Sequence, residues 1–327
     1  MNTTLLQYQK PRLVIILIIV FALFVASVNI KSSEKTDAQP MKTANTIRIG
    51  TVDVDAAKQI MNLQPTADYI ASEITNETTE YKGEVIIPST VNGMAKLLKE
   101  QRVDLYFESP FTIALVDKES GAMPFLLLWK EGVAQYHSIF IVKNNSSIKT
   151  LNDFVGKTIA FEAPESTSGY LLPKAYLVQK GFKLVGESTK NSSNDDDDNN
   201  IIRYVFARED QNIPLWIVEG KADIGAISNV DFEQEVYESI KSQLKIIDRT
   251  IDVPRHVVSH RSEMEPALVQ KIKDVLLNMD KDPEGIEILR NLDNSTRYEE
   301  INNKDQLFGP INNMLRLLEQ KEVEVGG

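Results

Sequence analysis

Short apolar strand patterns alternate with amphipathic helix patterns from residue 47 almost to the C-terminus, and that alternation confines the chain to an α/β architecture. Residues 47–50 read as a strand, and 56–74 as a helix interrupted at Pro65, with Ala67, Ile70, Ala71 and Ile74 at helical spacing. The beat continues with strands over 84–87, 103–107 and 125–129 separated by helices over 91–100 and 111–118. After Gly132 a second series begins, with strands over 138–142, 158–161, 201–206, 224–227 and 244–248 and helices over 151–154, 169–179 and 213–219. Helical patterns over 265–279, 283–290 and 305–320 close the chain. Two consecutive series, each predicting a mostly parallel sheet under helices, point to two lobes with a cleft between them, where the strand ends of such sheets place ligands. A length of 327 residues suits two domains of ordinary size.

Upstream of this body, Lys10 and Arg12 precede an almost wholly apolar run over 13–28, after which polarity returns. Positive charge followed by a short apolar stretch is an export signal. Val25-Ala26-Ser27 offers a cleavage point, yet the run approaches the length of a spanning helix, so a cleaved signal and a retained anchor both stay open. The expected organisation is therefore a signal or anchor over 1–30, a flexible tether over 31–45, one lobe from 46–135 with 253–327, and a second lobe from 136–252.

Charge and composition remove several function classes. A net charge of −11 gives no general attraction to nucleic acid phosphates, so an anion must be held locally. The absence of cysteine excludes disulfides, thiolate metal sites and a lipid-modified cysteine. No G-x-S-x-G elbow, H-E-x-x-H pair or phosphate loop ending in Lys-Ser/Thr is present, which argues against catalysis. The Asp195–Asp198 run lacks the central glycine of a calcium loop and reads as solvated surface, so no metal or other cofactor is expected.

The segment with most chemistry is Glu162-Ala163-Pro164-Glu165-Ser166-Thr167-Ser168-Gly169. A strand ends in a proline turn, three hydroxyl residues follow, and Gly169 opens an apolar helix. Unpaired amides at a helix start, the helix dipole and the hydroxyls together make a seat for an anion. The same pattern also suits a simple helix cap.

This segment, with Asp104–Phe111 and Gly220–Ala226, resembles the substrate-binding subunits of phosphate, phosphite and phosphonate ABC transporters. The resemblance implies a type II periplasmic-binding-protein fold that closes on a small anionic ligand, works as a monomer, and serves an ABC permease or other membrane partner. It implies that Ser166, Thr167, Ser168 and Gly169 hold the oxyanion, that Tyr136 and His137 lie near the first lobe crossing, and that Glu108 and Ser109 face the cleft. Arg255 and His256 then lie near the return crossing. Many phosphonate binders carry a ligand histidine where this chain has Glu209 and Asp210. Those carboxylates would repel a dianion unless Arg208 takes over, the acids point away, or the ligand carries a cationic group. An arginine fork at Arg255, with His256, could compensate. For His137 a purely structural role is the alternative, and Trp129 and Trp216 read as core.

Overall fold

The computed structural model describes residues 43–186 and 200–326, with side chains described over 45–186 and 200–320. The expected signal or anchor segment, most of the tether and the Asp195–Asp198 run lie outside the described residues.

The first sheet is built from β1 (Thr43–Gly50), β2 (Thr79–Ile86), β3 (Leu105–Glu108) and β4 (Met123–Leu128), linked by helices α1 (Ala56–Ile74), α2 (Val91–Lys99) and α3 (Pro110–Ser120). β1 lies parallel to both β2 and β3. The strand starts earlier than its apolar pattern suggests, because polar residues from Thr43 onward pair with Thr79 onward on the edge strand β2. An edge strand with one solvated face has no need of a continuous apolar run, and β2 alternates half-buried with exposed positions accordingly. The tether expected to reach residue 45 therefore ends by Thr43.

Helix α1 also runs through Pro65 instead of breaking there. Loss of one backbone donor at Pro65 is outweighed by the buried stripe of Leu63, Ala67, Tyr69, Ile70 and Ile74. At its start Asp55 accepts a hydrogen bond from the Lys58 amide at 3.1 Å and caps the first turn.

Two strands then leave the first sheet: β5 (Gln135–Tyr136) and, after it, β6 (Ser138–Lys143), which opens the second sheet. That sheet continues with β7 (Thr158–Phe161), α4 (Leu172–Gln179), β8 (Lys183–Gly186), β9 (Ile201–Phe206), α5 (Asn212–Glu219), β10 (Ile224–Ser228), α6 (Asn229–Glu235), α7 (Glu238–Lys241) and β11 (Leu244–Arg249). The chain returns through β12 (Val253–Pro254) and β13 (His256–His260), and ends with α8 (Pro266–Asn278), α9 (Pro283–Asn291), β14 (Tyr298–Glu300) and α10 (Lys304–Gly326).

The first sheet has the order β14-β4-β13-β3-β1-β2, and the second β11-β6-β10-β7-β9-β8. β5 and β12 form a separate antiparallel ribbon with Tyr136 opposite Val253, so the chain passes between the sheets twice at one place. Each sheet is mixed rather than wholly parallel. β13 is antiparallel to β3 and β4, and β6 is antiparallel to β10 and β11.

The cores follow this division with one exception. Ile47, Ile49, Leu105, Leu126 and Val258 pack under the first sheet, while Phe140, Ile159, Phe161 and Ile224 pack under the second. A further cluster joins Phe111 and Val116 of α3 to Leu172 and Ala175 of α4, to Tyr136 and Val253 of the ribbon, and to Phe308, Ile311 and Met314 of α10. The C-terminal helix thus contributes apolar side chains to a core shared by elements of both sheets.

Candidate functional site

In an α/β sheet the loops at the carboxyl ends of parallel strands collect the groups that meet ligands. Here the loop after β3 supplies Glu108 to Thr112, and the loop after β7 supplies Glu162 to Gly169. The two loops touch. The Thr167 hydroxyl donates to the Ser109 hydroxyl at 3.0 Å and accepts from the Phe111 amide at 3.4 Å. Thr112 in turn donates to the Glu165 carbonyl at 3.3 Å, with Ser109 and Thr112 hydroxyls 3.3 Å apart. A chain of hydroxyl groups therefore crosses the seam between the sheets.

Ser166 caps the turn that follows. Its oxygen accepts from the Gly169 amide at 2.9 Å while its proton goes to Glu162 at 2.6 Å. The turn from Thr167 to Leu171 is a π-type turn that runs directly into α4. The amides of Thr167 and Ser168 belong to its first positions, where a helix offers no internal acceptor. Gly169 is required for the closeness of the packing: a Cβ there would sit 2.4 Å from the Glu162 side chain. Thr167 and Ser168 are buried, at 2% and 7% exposure, beneath the facing loop.

Tyr136 and Ser138 brace the turn from the ribbon side. Ser138 donates to the Ser168 carbonyl at 2.7 Å. Burial pushes the Tyr136 phenol up to about 12, against the opposing influence of Arg255 and the Ser168 hydroxyl, so it remains a neutral donor. On the opposite loop, Glu108 accepts from the Thr51 hydroxyl at 2.9 Å and from the Ser109 amide at 2.7 Å. Burial still raises its pKa, with those donors and Lys130 pulling the other way.

The site is acidic to an extent its sequence only hinted at. Burial pushes Glu162 up to about 7, with Asp210, Asp231 and Glu165 adding repulsion. Burial also raises Asp210 to about 6, helped by Asp231, Glu235 and Glu209. Carboxylate oxygens of Glu131, Asp231 and Glu235 lie within 4.8 Å of one another. Of the two acids that replace the expected histidine, Glu209 is exposed while Asp210 is half-buried, close enough to Asp231 and Glu162 for their charges to repel. Arg208 is exposed, with a left-handed φ of 73°, and its amide donates to the Glu162 carbonyl at 2.8 Å.

The compensating cations expected at the return crossing are differently employed. Arg255 directs its guanidinium at Glu131, with Nε 3.0 Å from the carboxylate, and at Asp231, 3.1 Å away, and stacks 4.5 Å over the Tyr136 ring. Its fork is committed to carboxylates instead of an oxyanion. Burial lowers His256 to about 3, with Lys130 and Arg255 adding to the effect, so it is a neutral imidazole at pH 7 and supplies no charge. His137 pairs through Nδ1 with Asp252 at 2.8 Å, and its amide donates to Asn229 at 2.9 Å. These contacts tie β5 to the second sheet, which fits the structural alternative for this histidine.

Residues 51–306 match the family described as ABC transporter, phosphonate, periplasmic substrate-binding protein. The chain belongs to this family. The Phosphate-import protein PhnD of Mycolicibacterium smegmatis is 24% identical over 208 residues, which is 62% of this chain and 63% of that protein, less than two thirds of the relative's length. Solved structures of XAC2383 from Xanthomonas citri, bound to ATP and to chloride ion, are 25% and 26% identical. Their TM-scores are 0.74 and 0.75, and the matches cover 84% of this chain and 98% and 99% of theirs. PhnD1 from Prochlorococcus marinus (MIT 9301), in complex with methylphosphonate, shares the fold with a TM-score of 0.63 at 15% identity, over 84% of this chain and 98% of that one.

The family is one of periplasmic substrate-binding proteins, and the two sheets agree with the fold of the solved structures. Among the described residues no helix is long and apolar enough to cross a membrane, and residues 13–28 lie outside them.

Sequence reasoning overlooked Thr51, Glu131 and Asp231. The rule that strand ends carry function pointed to two of them. Thr51 follows β1, and Asp231 sits three residues past the end of β10, where Ser228 caps α6 by accepting from the Val230 and Asp231 amides at 3.1 and 3.2 Å.

Proposed function

We propose that this protein captures a small phosphorus oxyanion of the phosphonate class that also carries a cationic group, closes its lobes around it, and hands it to an ABC importer. The reading rests on one juxtaposition: the Thr167 and Ser168 amides at a helix start, suited to the oxyanion, beside the inward carboxylates Glu162, Asp210 and Asp231, suited to a cation. A bare dianion would meet repulsion from those acids. An aminoalkylphosphonate would meet complementary charge at both ends.

Ser166 to Gly169 and Tyr136 hold the oxyanion in this account, and Glu108 and Ser109 line the other wall. The lobes comprise 46–135 with 253–327, and 136–252, and exchange at the β5 and β12 ribbon. Separation of Ser109 from Thr167 admits the ligand, and closure removes it from water, where each hydrogen bond to it gains strength. The protein acts as a monomeric binder without turnover.

Calorimetric titration with phosphate, phosphite, methylphosphonate and 2-aminoethylphosphonate tests the ligand class. The aminophosphonate is expected to bind tightest, and the absence of heat or thermal stabilisation with all four would reject the proposal. A tethered sensing module of the same fold is favoured by one observation, the near-spanning apolar run over 13–28. The mass of the mature protein decides between them: a cleaved chain removes the tethered reading.

A further inference from the structure

Arg255 occupies an unusual place. It lies on the return crossing, between β12 and β13, and its guanidinium bonds to Glu131 from the first sheet's loop and to Asp231 at the start of α6 in the second sheet. The guanidinium side chain is 9% exposed and both carboxylates 13%, so the three charges are withdrawn from water and their interaction is little screened. Arg255 also donates its amide to the Ala134 carbonyl at 2.9 Å beside β5, and its cation faces the Tyr136 ring. Each contact ties a different part of the molecule to the crossing point.

Glu131 is held in a conformation that side chains avoid, with φ 56° and ψ 26°. Its amide donates to the Asp293 carbonyl at 3.1 Å, and Gly132, also left-handed at φ 74°, follows directly. The sharp reversal at these two residues turns the Glu131 carboxylate toward Arg255.

We propose that Asp231, Arg255 and Glu131 form an interlobe clasp, with Arg255 the positioning residue that prolongs the closed arrangement and holds Tyr136 against the Ser168 turn. The inference rests on the reading above that the lobes part to admit a ligand. Glu131 and Arg255 belong to one lobe and Asp231 to the other, so opening pulls Asp231 away from the guanidinium. The clasp therefore sets how long the lobes stay together independently of what the ligand is.

The chain has no cysteine, so Val54→Cys and Tyr237→Cys, at positions 86% and 81% exposed beside opposite sheets, take a donor and acceptor dye without further change. Single-molecule energy transfer on the full-length protein then reads closed and open levels, first without added ligand and then with 2-aminoethylphosphonate. Asp231→Asn keeps the shape and a hydrogen bond but removes the charge that faces Arg255 from the other lobe, and is expected to shorten closed dwell times on the order of tenfold, as loss of a charge-assisted bond implies. Arg255→Lys keeps the charge without the fork and is expected to shorten them as well, which preserves the test should either variant fold poorly. Glu84→Gln, in an exposed pair with Arg48, serves as the control and leaves dwell times unchanged. Closed dwell times equal to wild type in both clasp variants, or a wild type that shows no closed level, would overturn the clasp. Failure of phosphonates to bind would not alter the ligand-free comparison, so the two proposals fail separately.

Discussion

The hydroxyls of Thr167 and Ser109 meet at 3.0 Å, one from the loop after β7 and the other from the loop after β3. This hydrogen bond joins the turn proposed to seat the anion to the loop that faces it. Around it the Phe111 amide, Thr112 and the Glu165 carbonyl complete a polar seam, which opens and re-forms in the binding cycle proposed above.

Replacing the hydroxyl with a methyl tests the seam. Thr167→Val strands the buried Phe111 amide and removes the link to Ser109, so stability is expected to fall by about 1 to 3 kcal/mol. Denaturant unfolding of the unliganded variant measures it, and a midpoint unchanged from wild type would show that the seam contributes nothing.

Gly169 tolerates no side chain. In Gly169→Ala the new Cβ would lie 2.4 Å from both Cβ and Oε2 of Glu162, so the turn and the carboxylate must shift. A loss of about 1 to 3 kcal/mol is expected from overpacking, together with at least a tenfold weaker affinity for 2-aminoethylphosphonate. Thermal unfolding and calorimetry read the two effects separately.

Acidity should act in opposite directions on stability and on binding. Glu162 and Asp210 are pushed up to about 7 and 6, and Asp117, buried beside Ser259, to about 7. In the unfolded chain such groups titrate near 4. Between roughly pH 4 and 7 the folded protein therefore binds more protons than the unfolded chain, and stability falls as pH rises through that window. The unliganded protein is expected to melt higher at pH 5.5 than at pH 8. A cationic ligand end needs the same carboxylates ionised, so the preference for 2-aminoethylphosphonate over ethylphosphonate should shrink as pH drops from 8 to 6. The ammonium lowers the second ionisation of the amino compound's phosphonate, so each affinity is first corrected for its own ligand's titration.

Glu162→Gln separates these roles. The amide oxygen still accepts from Ser166, so the cap persists, while the ionisable group is gone. Stability should then vary less between pH 5.5 and 8, and the preference for the amino compound should weaken severalfold. An unchanged pH profile would assign the titration to other groups.

The alternation of strand and helix patterns made the two sheets legible, because the central strands β3, β7 and β10 carry short apolar runs bounded by helices. Elements whose stability is borrowed from neighbours were not. β5 and β12 have two residues each and exist only as each other's partners. β14 is short and pairs with β4 from more than 160 residues away. Pro65 was a misleading signal since the buried face of α1 overrides a local break. At the site, the hydroxyl turn at Ser166 to Gly169 is contiguous in sequence and stood out. Of the acidic surroundings only Glu209 and Asp210 stood out, since Glu131, Glu162, Asp210 and Asp231 come from four separate segments and only the fold gathers them.

A crystal structure grown with 2-aminoethylphosphonate tests the central claim most directly. The account predicts phosphonate oxygens within hydrogen-bonding distance of the Thr167 and Ser168 amides, with the amine directed at Asp210 or Asp231. A phosphonate group seated away from that turn, with the Ser109 to Thr167 contact intact beside it, would contradict it.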